Sequence, residues 1–350
     1  MKQKILVVTP KLSTFLKRDI NILEQEYVVR VFVFGTNKWM APFRFIYQLF
    51  YLLYQMLFCK LIVIQFAGFH SFLPVLFGKW FGWQTLLIVA GTDCVSFPSI
   101  SYGNFNRKLL RKFTKWSEKL AKHISPKHQS LILSEYTYTS DDYRTQGIKK
   151  FIPELKTPYT VITNGYDSSI FDRISEKKPR TFLTVAGGFG MRFTYVLKGI
   201  DLIVAVASIF EDCIFEIAGV EPGTELPPMP PNIRLITPLN QSQLIEKFSS
   251  ATYYFQLSMA EGFPNALCEA MLCECVPIGS NVFSIPEIIG DSGFILDHRN
   301  KDELIELILK ALKSDTEVLG KKARARIIDN YSIEKRSKLL LELTKNLLLK

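Results

Sequence analysis

The 350-residue sequence lacks the marks of several protein classes. Its six cysteines, Cys59, Cys94, Cys213, Cys268, Cys273 and Cys275, form neither paired CxxC units nor a dense framework. A chain of this size buries enough apolar surface to fold without disulfides, so these residues read as reduced thiols in a cytosolic compartment. No repeat of fixed period recurs and no low-complexity tract interrupts the chain. The amino-terminal MKQKILVVTP has too short an apolar run for a signal peptide and reads as a first β-strand. Only Ala41–Cys59, broken by Arg44, Gln48 and Gln55, approaches transmembrane length. A spanning helix needs about 20 mostly apolar residues, and this segment lies where one parallel strand must cross to the next. It reads as a crossover helix, buried or partly facing a membrane.

Acidic residues are scarce in one half. The formal net charge is +10, but residues 1–168 hold 22 Lys and Arg against 10 Asp and Glu, and the remainder is nearly neutral. A basic half points to a polyanionic partner. Nucleic acid is not expected, because no recognisable binding motif accompanies the charge. In 104–122, NFNRKLLRKFTKWSEKLAK, seven bases face one Glu. Arg107, Arg111, Lys115, Lys119 and Lys122 fall on one helical stripe beside an apolar stripe of Leu109, Leu110, Phe113, Trp116 and Leu120. Such a helix suits an anionic membrane surface. With the aromatic segment 41–59, it predicts a cytoplasmic protein in peripheral contact with the inner face of the cell membrane.

Short apolar runs alternate with segments of helical period, the pattern of α/β folds with parallel sheets. Strands are predicted at Ile5–Val8, Val28–Phe34, Leu61–Gln65 and Thr85–Val89. After the polar stretch 168–180 a second series begins at Thr181–Ala186 and continues at Ile214–Ala218, Ile233–Ile236, Tyr253–Leu257 and Cys275–Gly279. The expectation is two α/β domains, 1–168 and 169–331, followed by a final amphipathic helix at 332–350.

The segment with most chemistry is SMAEGFPNALCEAMLCECVPIGS, 258–280. Pro264 and Asn265 suit a helix N-terminus, where proline costs least and Asn can cap. Such a terminus offers free amides and a positive dipole end to a phosphate. Glu261 lies on the loop before it and Glu269 one turn into the helix, placed to accept hydrogen bonds from hydroxyls on either side of an anion.

This segment resembles the signature of the family 4 retaining glycosyltransferases, the glycosyl transferases group 1, of GT-B fold, which implies two doubly wound α/β domains facing across a cleft with the last helix returning to the first. Three further stretches are similar to family motifs in the same order: VITNGYDSSIF at 161–171, LKGIDLI at 197–203 and SNVFSIPEIIGDSGFIL at 280–296. The resemblance implies that Glu261 binds hydroxyls of a donor sugar and that Gly262, Phe263, Pro264, Asn265 and Ala266 hold sugar and diphosphate. Glu269 would bind the ribose, and Lys198 would neutralise the departing diphosphate. Thr237, Pro238 and Leu239 would lie beside a base that is uracil or guanine. Where the family has Gly-Arg after a strand this chain has Gly187-Gly188, which leaves Arg192 as the nearest candidate. Ala90 stands where the family often has His, with Asp93 and His70 as polar candidates nearby.

The implied reaction moves a sugar, with retention, from a UDP- or GDP-sugar to a hydroxyl of a glycan or lipid-linked acceptor in bacterial surface-polysaccharide or glycolipid assembly. No cofactor is implied, and a divalent metal is not expected because no Asp-x-Asp motif is present. The alternatives are a GT-B sugar epimerase or phosphorylase, and a catalytically inactive GT-B binding or scaffold protein.

Overall fold

Ile5, Leu6, Val7 and Val8 are all fully buried, the continuous apolar pattern of a strand covered on both faces. They form the centre of β1 Lys4–Thr9 in a five-stranded sheet. The computed structural model describes residues 2–37, 39–189 and 192–349. The chain divides into one unit of Met1–Ser134, Thr145–Gly165 and Ile333–Lys350, and another of Glu135–Arg144 and Tyr166–Ser332.

In the first unit β1 is followed by α1 Thr14–Glu24, β2 Val28–Val33, α2 Ala41–Gln55, β3 Cys59–Gln65, α3 Phe69–Phe81, β4 Gln84–Val89, α4 Lys108–Leu120 and β5 His123–Pro126. The strands pair in parallel in the order β2-β1-β3-β4-β5. Sequence patterning misses β5, whose four residues are two polar groups, one Ile and a Pro. All four are buried at the sheet edge. Short strands β6 Ser134–Glu135 and β7 Thr145–Gln146 and the one-turn helix α5 Ile148–Phe151 follow.

The second unit runs β8 Lys178–Phe189, α6 Arg192–Leu197, α7 Ile200–Ala207, β9 Ile214–Val220, β10 Ile233–Ile236, α8 Gln241–Ser250, β11 Ala251–Gln256, α9 Asn265–Leu272, β12 Val276–Ser280, α10 Ile285–Ile289, β13 Phe294–Leu296, α11 Lys301–Leu312 and α12 Thr316–Asn330. Its parallel strands are ordered β10-β9-β8-β11-β12-β13. Counted within the unit this is 3-2-1-4-5-6, the order of a dinucleotide-binding sheet. Residues 135–144 also lie in this unit, where Tyr136 Oη donates to the Met259 carbonyl at 3.1 Å.

The last helix, α13 Ile333–Leu348, is part of the first unit. Its Leu340 and Leu347 join the core formed by Ile5, Val7, Leu16 and Ile88. Arg336 fixes its position by gripping Asp19 of α1 through two hydrogen bonds of 2.7 Å, with Lys127 at 3.4 Å from the same carboxylate. Burial alone would raise the Asp19 pKa, but Arg336 and Lys127 outweigh it and hold the group charged.

Candidate functional site

In the second sheet β8 and β11 are neighbours, and successive strands leave them in opposite directions. Such a reversal opens a crevice at the carboxyl ends of the strands, where open α/β sheets bind ligands. The segments leaving β8 and β11 there carry Lys198 and Glu261. Two contacts fix their approach. The Met259 amide donates to the Leu197 carbonyl at 2.8 Å. Gly199, at φ 71°, lies so close to β11's exit that a Cβ would sit 2.3 Å from the Leu257 carbonyl oxygen. Only glycine satisfies both the left-handed backbone and the space.

Lys198 Nζ donates to Glu261 Oε1 in an ion pair largely shielded from solvent, the side chains 22% and 16% exposed. The carboxylate is oriented from behind by a polar chain. Ser258 Oγ donates to the same Oε1 at 3.1 Å, and Gln256 Nε2 reaches Ser258 Oγ at 2.8 Å and Glu261 Oε1 at 3.3 Å. Tyr254 Oη donates to Gln256 Oε1 at 3.4 Å, which sets the amide's orientation. Ser280, at the end of β12, donates to the Ser258 carbonyl at 2.6 Å. All three donors to Glu261 converge on Oε1, and Oε2 receives none of them. Gln256 and Ser258 escape motif reading; their one signal is polarity at the exit of the otherwise apolar strand YYFQLS.

Beyond Glu261 the loop turns inward. Gly262, Phe263 and Pro264 are buried, and Asn265 and Ala266 half-buried. Phe263 packs edge-on against Tyr331 with ring centroids 5.2 Å apart. Pro264 occupies the N-cap of α9 and has no side-chain acceptor with which to cap it. The Asn cap expected from the sequence does not form: Asn265 is the first helical residue, and its Oδ1 accepts from Tyr166 Oη at 2.8 Å. Glu269 is half-buried on the same helix, four residues after Asn265.

Thr237, Pro238 and Leu239 directly follow β10, so they sit at the same carboxyl edge, with β9 between their strand and β8. Thr237 and Pro238 are exposed and Leu239 half-buried. Arg192 opens α6, but its side chain lies outside the described residues.

The candidates of the first unit are engaged within it. Asp93 is 1% exposed and accepts from the amides of Ala67 at 2.9 Å and of Ala90 and Gly91 at 3.1 Å. Burial raises its pKa against the opposing pull of these amides. The carboxyl thus ties the loop after β3 to the loop after β4. His70 is buried, with its pKa lowered to about 4 by desolvation, and its neutral ring donates through Nε2 to the Gln65 carbonyl at 2.8 Å. Among the described residues no group of three or more His, Cys, Asp or Glu is placed to hold a metal ion. Among them, too, no helix is long and apolar enough to cross a membrane.

Taken together, a lysine, a carboxylate with one oriented oxygen and an N-terminus without a side-chain cap gather at the β8/β11 exit. They offer positive charge and amide donors to an anion and acceptors to neighbouring hydroxyls. Residues 169–333 match the family described as Glycosyl transferases group 1. The O-antigen chain mannosyltransferase B of Escherichia coli is 35% identical over 69 residues, 20% of this chain and 18% of that protein. Among solved structures, sucrose-phosphate synthase of Thermosynechococcus elongatus aligns with TM-score 0.78 at 12% identity over 99% of this chain and 100% of that one. Anabaena HepE, solved with UDP-glucose, gives 0.72 at 12% identity over 98% and 99%. A glycosyltransferase of Rickettsia africae gives 0.67 at 14% identity over 99% of each.

Proposed function

We propose that this chain of GT-B fold, whose residues 169–333 match the glycosyl transferases group 1 family, transfers a sugar from a nucleoside-diphosphate sugar to an acceptor hydroxyl with retention of configuration. The observation that carries the reading is the Lys198–Glu261 pair at the β8/β11 exit beside the start of α9. A departing diphosphate gathers negative charge, which fixed cations and amide dipoles stabilise where water is scarce. In this reading the amides at the start of α9 hold the diphosphate, and Lys198 turns from Glu261 to meet the developing charge. Glu261, kept in place by Ser258 and Gln256, accepts hydroxyl hydrogens of the sugar, and Glu269 accepts those of the ribose.

Thr237, Pro238 and Leu239 flank the base, and Arg192 adds a second positive charge. Asp93 acts as a positioning residue for the loops after β3 and β4, since both of its oxygens are already engaged by amides. No divalent cation is required, so chelation leaves the rate unchanged. The donor is UDP- or GDP-linked; the UDP-glucose complex of HepE supports the first. The acceptor is a glycan or lipid-linked glycan in bacterial surface-polysaccharide or glycolipid assembly, a reading supported by the name of the Escherichia coli relative.

The test is release of UDP or GDP from a panel of nucleotide sugars in the presence of lipid-linked and free glycan acceptors. Release with one donor, abolished by Lys198→Ala and Glu269→Ala, supports the assignment. Release unchanged by either substitution rejects the site.

A further inference from the structure

Helix α2 is apolar on both faces: Leu52 is buried beside two glutamines, yet a row of large apolar side chains faces outward. Its Gln48 and Gln55 are fully buried, while Phe43, Ile46, Tyr47, Phe50, Leu53 and Tyr54 are between 44% and 67% exposed. Gln48 spends its amide on the His70 carbonyl at 2.8 Å. A surface helix in water turns its apolar stripe inward and its polar face outward. The outward face of α2 departs from this rule, and an exposed apolar face of this extent marks a surface that meets an apolar medium or partner. Trp39 before the helix, 90% exposed, and Trp80 at the end of α3, 64% exposed, add aromatic groups of the kind that settle at a bilayer boundary.

Charge identifies the occupant. From residue 27 to 134 the chain contains 13 Lys and Arg and only two acids, Asp93 and Glu118. Both acids are buried, so every exposed charge of this stretch is positive. A second copy of the chain would bring the same bases to the same face, whereas an anionic leaflet complements them. At the carboxyl end of α2 lies a cavity of about 290 Å³ lined by Lys2, Lys4 and Lys60 together with Leu57, Phe58 and Leu348. Lys4 Nζ stands 5.0 Å and the Arg30 guanidinium 5.7 Å from the centre of the Phe58 ring. Among the described residues no acid lines this cavity, and its apolar wall continues into the exposed end of α2 through Leu57, 76% exposed.

We propose that α2 lies along the surface of an anionic membrane with its aromatic face among the acyl chains, and that the Lys2–Lys4–Lys60 cavity takes the phosphate of a phospholipid headgroup. The 15 residues of α2 span roughly 22 Å, short of the ~30 Å hydrocarbon core, so the helix rests in the interface and does not cross it. The basic stripe of α4 supplies attraction at longer range. Its Phe113 is engaged by Phe45, Phe69 and Phe72, with ring centroids 4.9–6.0 Å apart, and is not the inserting group. The inference is independent of sugar transfer, because vesicle binding is read with no donor or acceptor present.

The experiment is co-sedimentation of the full chain with phosphatidylcholine vesicles, with and without phosphatidylglycerol, followed also by tryptophan emission. The wild type binds the anionic vesicles and its emission shifts to the blue. Phe50→Glu with Leu53→Glu, both exposed and so compatible with folding, lowers binding to anionic vesicles by about tenfold or more. Lys2→Glu with Lys60→Glu removes the preference for phosphatidylglycerol. Unfolding midpoints of both variants match the wild type. Undiminished binding by the α2 variant, or loss only with Lys108→Glu and Lys112→Glu of α4, overturns the proposal. So does failure of the wild type to bind any vesicle, including the case in which it dimerises through Phe50 and Leu53.

Discussion

Lys198 and Glu261, 63 residues apart in the chain, form an ion pair because β8 and β11 are adjacent in the sheet and their exits are bonded together at Leu197 and Met259. The pairing holds each group where the proposed donor would need it and lets neither be changed alone without consequence. Glu261→Gln keeps the shape and the hydrogen bonds from Ser258 and Gln256 but removes the charge partner of Lys198. Nucleotide-sugar turnover is expected to fall by about a hundredfold or more, the scale of losing one oriented polar group at a reacting centre, with the unfolding midpoint little changed. Steady-state release of the nucleoside diphosphate, measured beside a thermal melt, checks this.

Gly199→Ala places a methyl group against the Leu257 carbonyl at a backbone conformation that alanine disfavours. The substitution should destabilise the second unit by more than ~1 kcal/mol. It should also weaken donor binding through displacement of Lys198. Urea unfolding and donor titration on the same variant report the two effects.

Asp19, Arg336 and Lys127 make a buried triad that fastens α13. Arg336→Met leaves Asp19 short of its main partner and is expected to cost about 3–5 kcal/mol, read from the urea midpoint. Lys127 behaves differently: burial depresses its pKa to about 7 from 10.5. The unfolded chain therefore binds more protons than the folded one between those values, and this group's contribution to stability rises with pH across that window. Lys127→Met should flatten the rise of stability between pH 7 and 10.

Glu118 is the single acid of the basic segment 104–122, yet it is fully buried, and among the described residues neither carboxyl oxygen has a hydrogen-bond partner. Burial, followed by the nearby Asp93 charge, raises its pKa well above the ordinary value. The folded state keeps a proton that the unfolded state loses above about pH 4.5, so the group costs stability increasingly as pH rises from there. Glu118→Met should stabilise the chain by roughly 1–3 kcal/mol, the scale of an unpaired buried polar group. The gain should be larger at pH 8 than at pH 5 in parallel melts.

Much of the fold was legible where burial writes a continuous apolar run, as in Ile5–Val8 and Leu61–Gln65. It failed where structure depends on partners distant in sequence. The strand His123–Pro126 has no apolar alternation, and the composition of α2 alone does not say which of its faces turns inward. At the site, the loop from Glu261 to Ala266 and Lys198-Gly199 stand out in the sequence through their resemblance to family motifs, and the structure brings Lys198 and Glu261 together at the β8/β11 exit. Gln256 and Ser258 do not stand out, since a polar residue at a strand exit acquires meaning only when the carboxylate it orients is seen beside it.

The central claim is that Lys198 and the start of α9 bind the diphosphate of a nucleotide sugar in the second unit. Calorimetric titration of the full chain with UDP and with GDP, repeated on Lys198→Ala, tests it most directly. Saturable binding of one nucleotide without added metal, weakened by about tenfold or more in Lys198→Ala as expected for losing a charged hydrogen bond, is the predicted result. Equal affinity of the wild type and the variant, or binding of neither nucleotide, would contradict it.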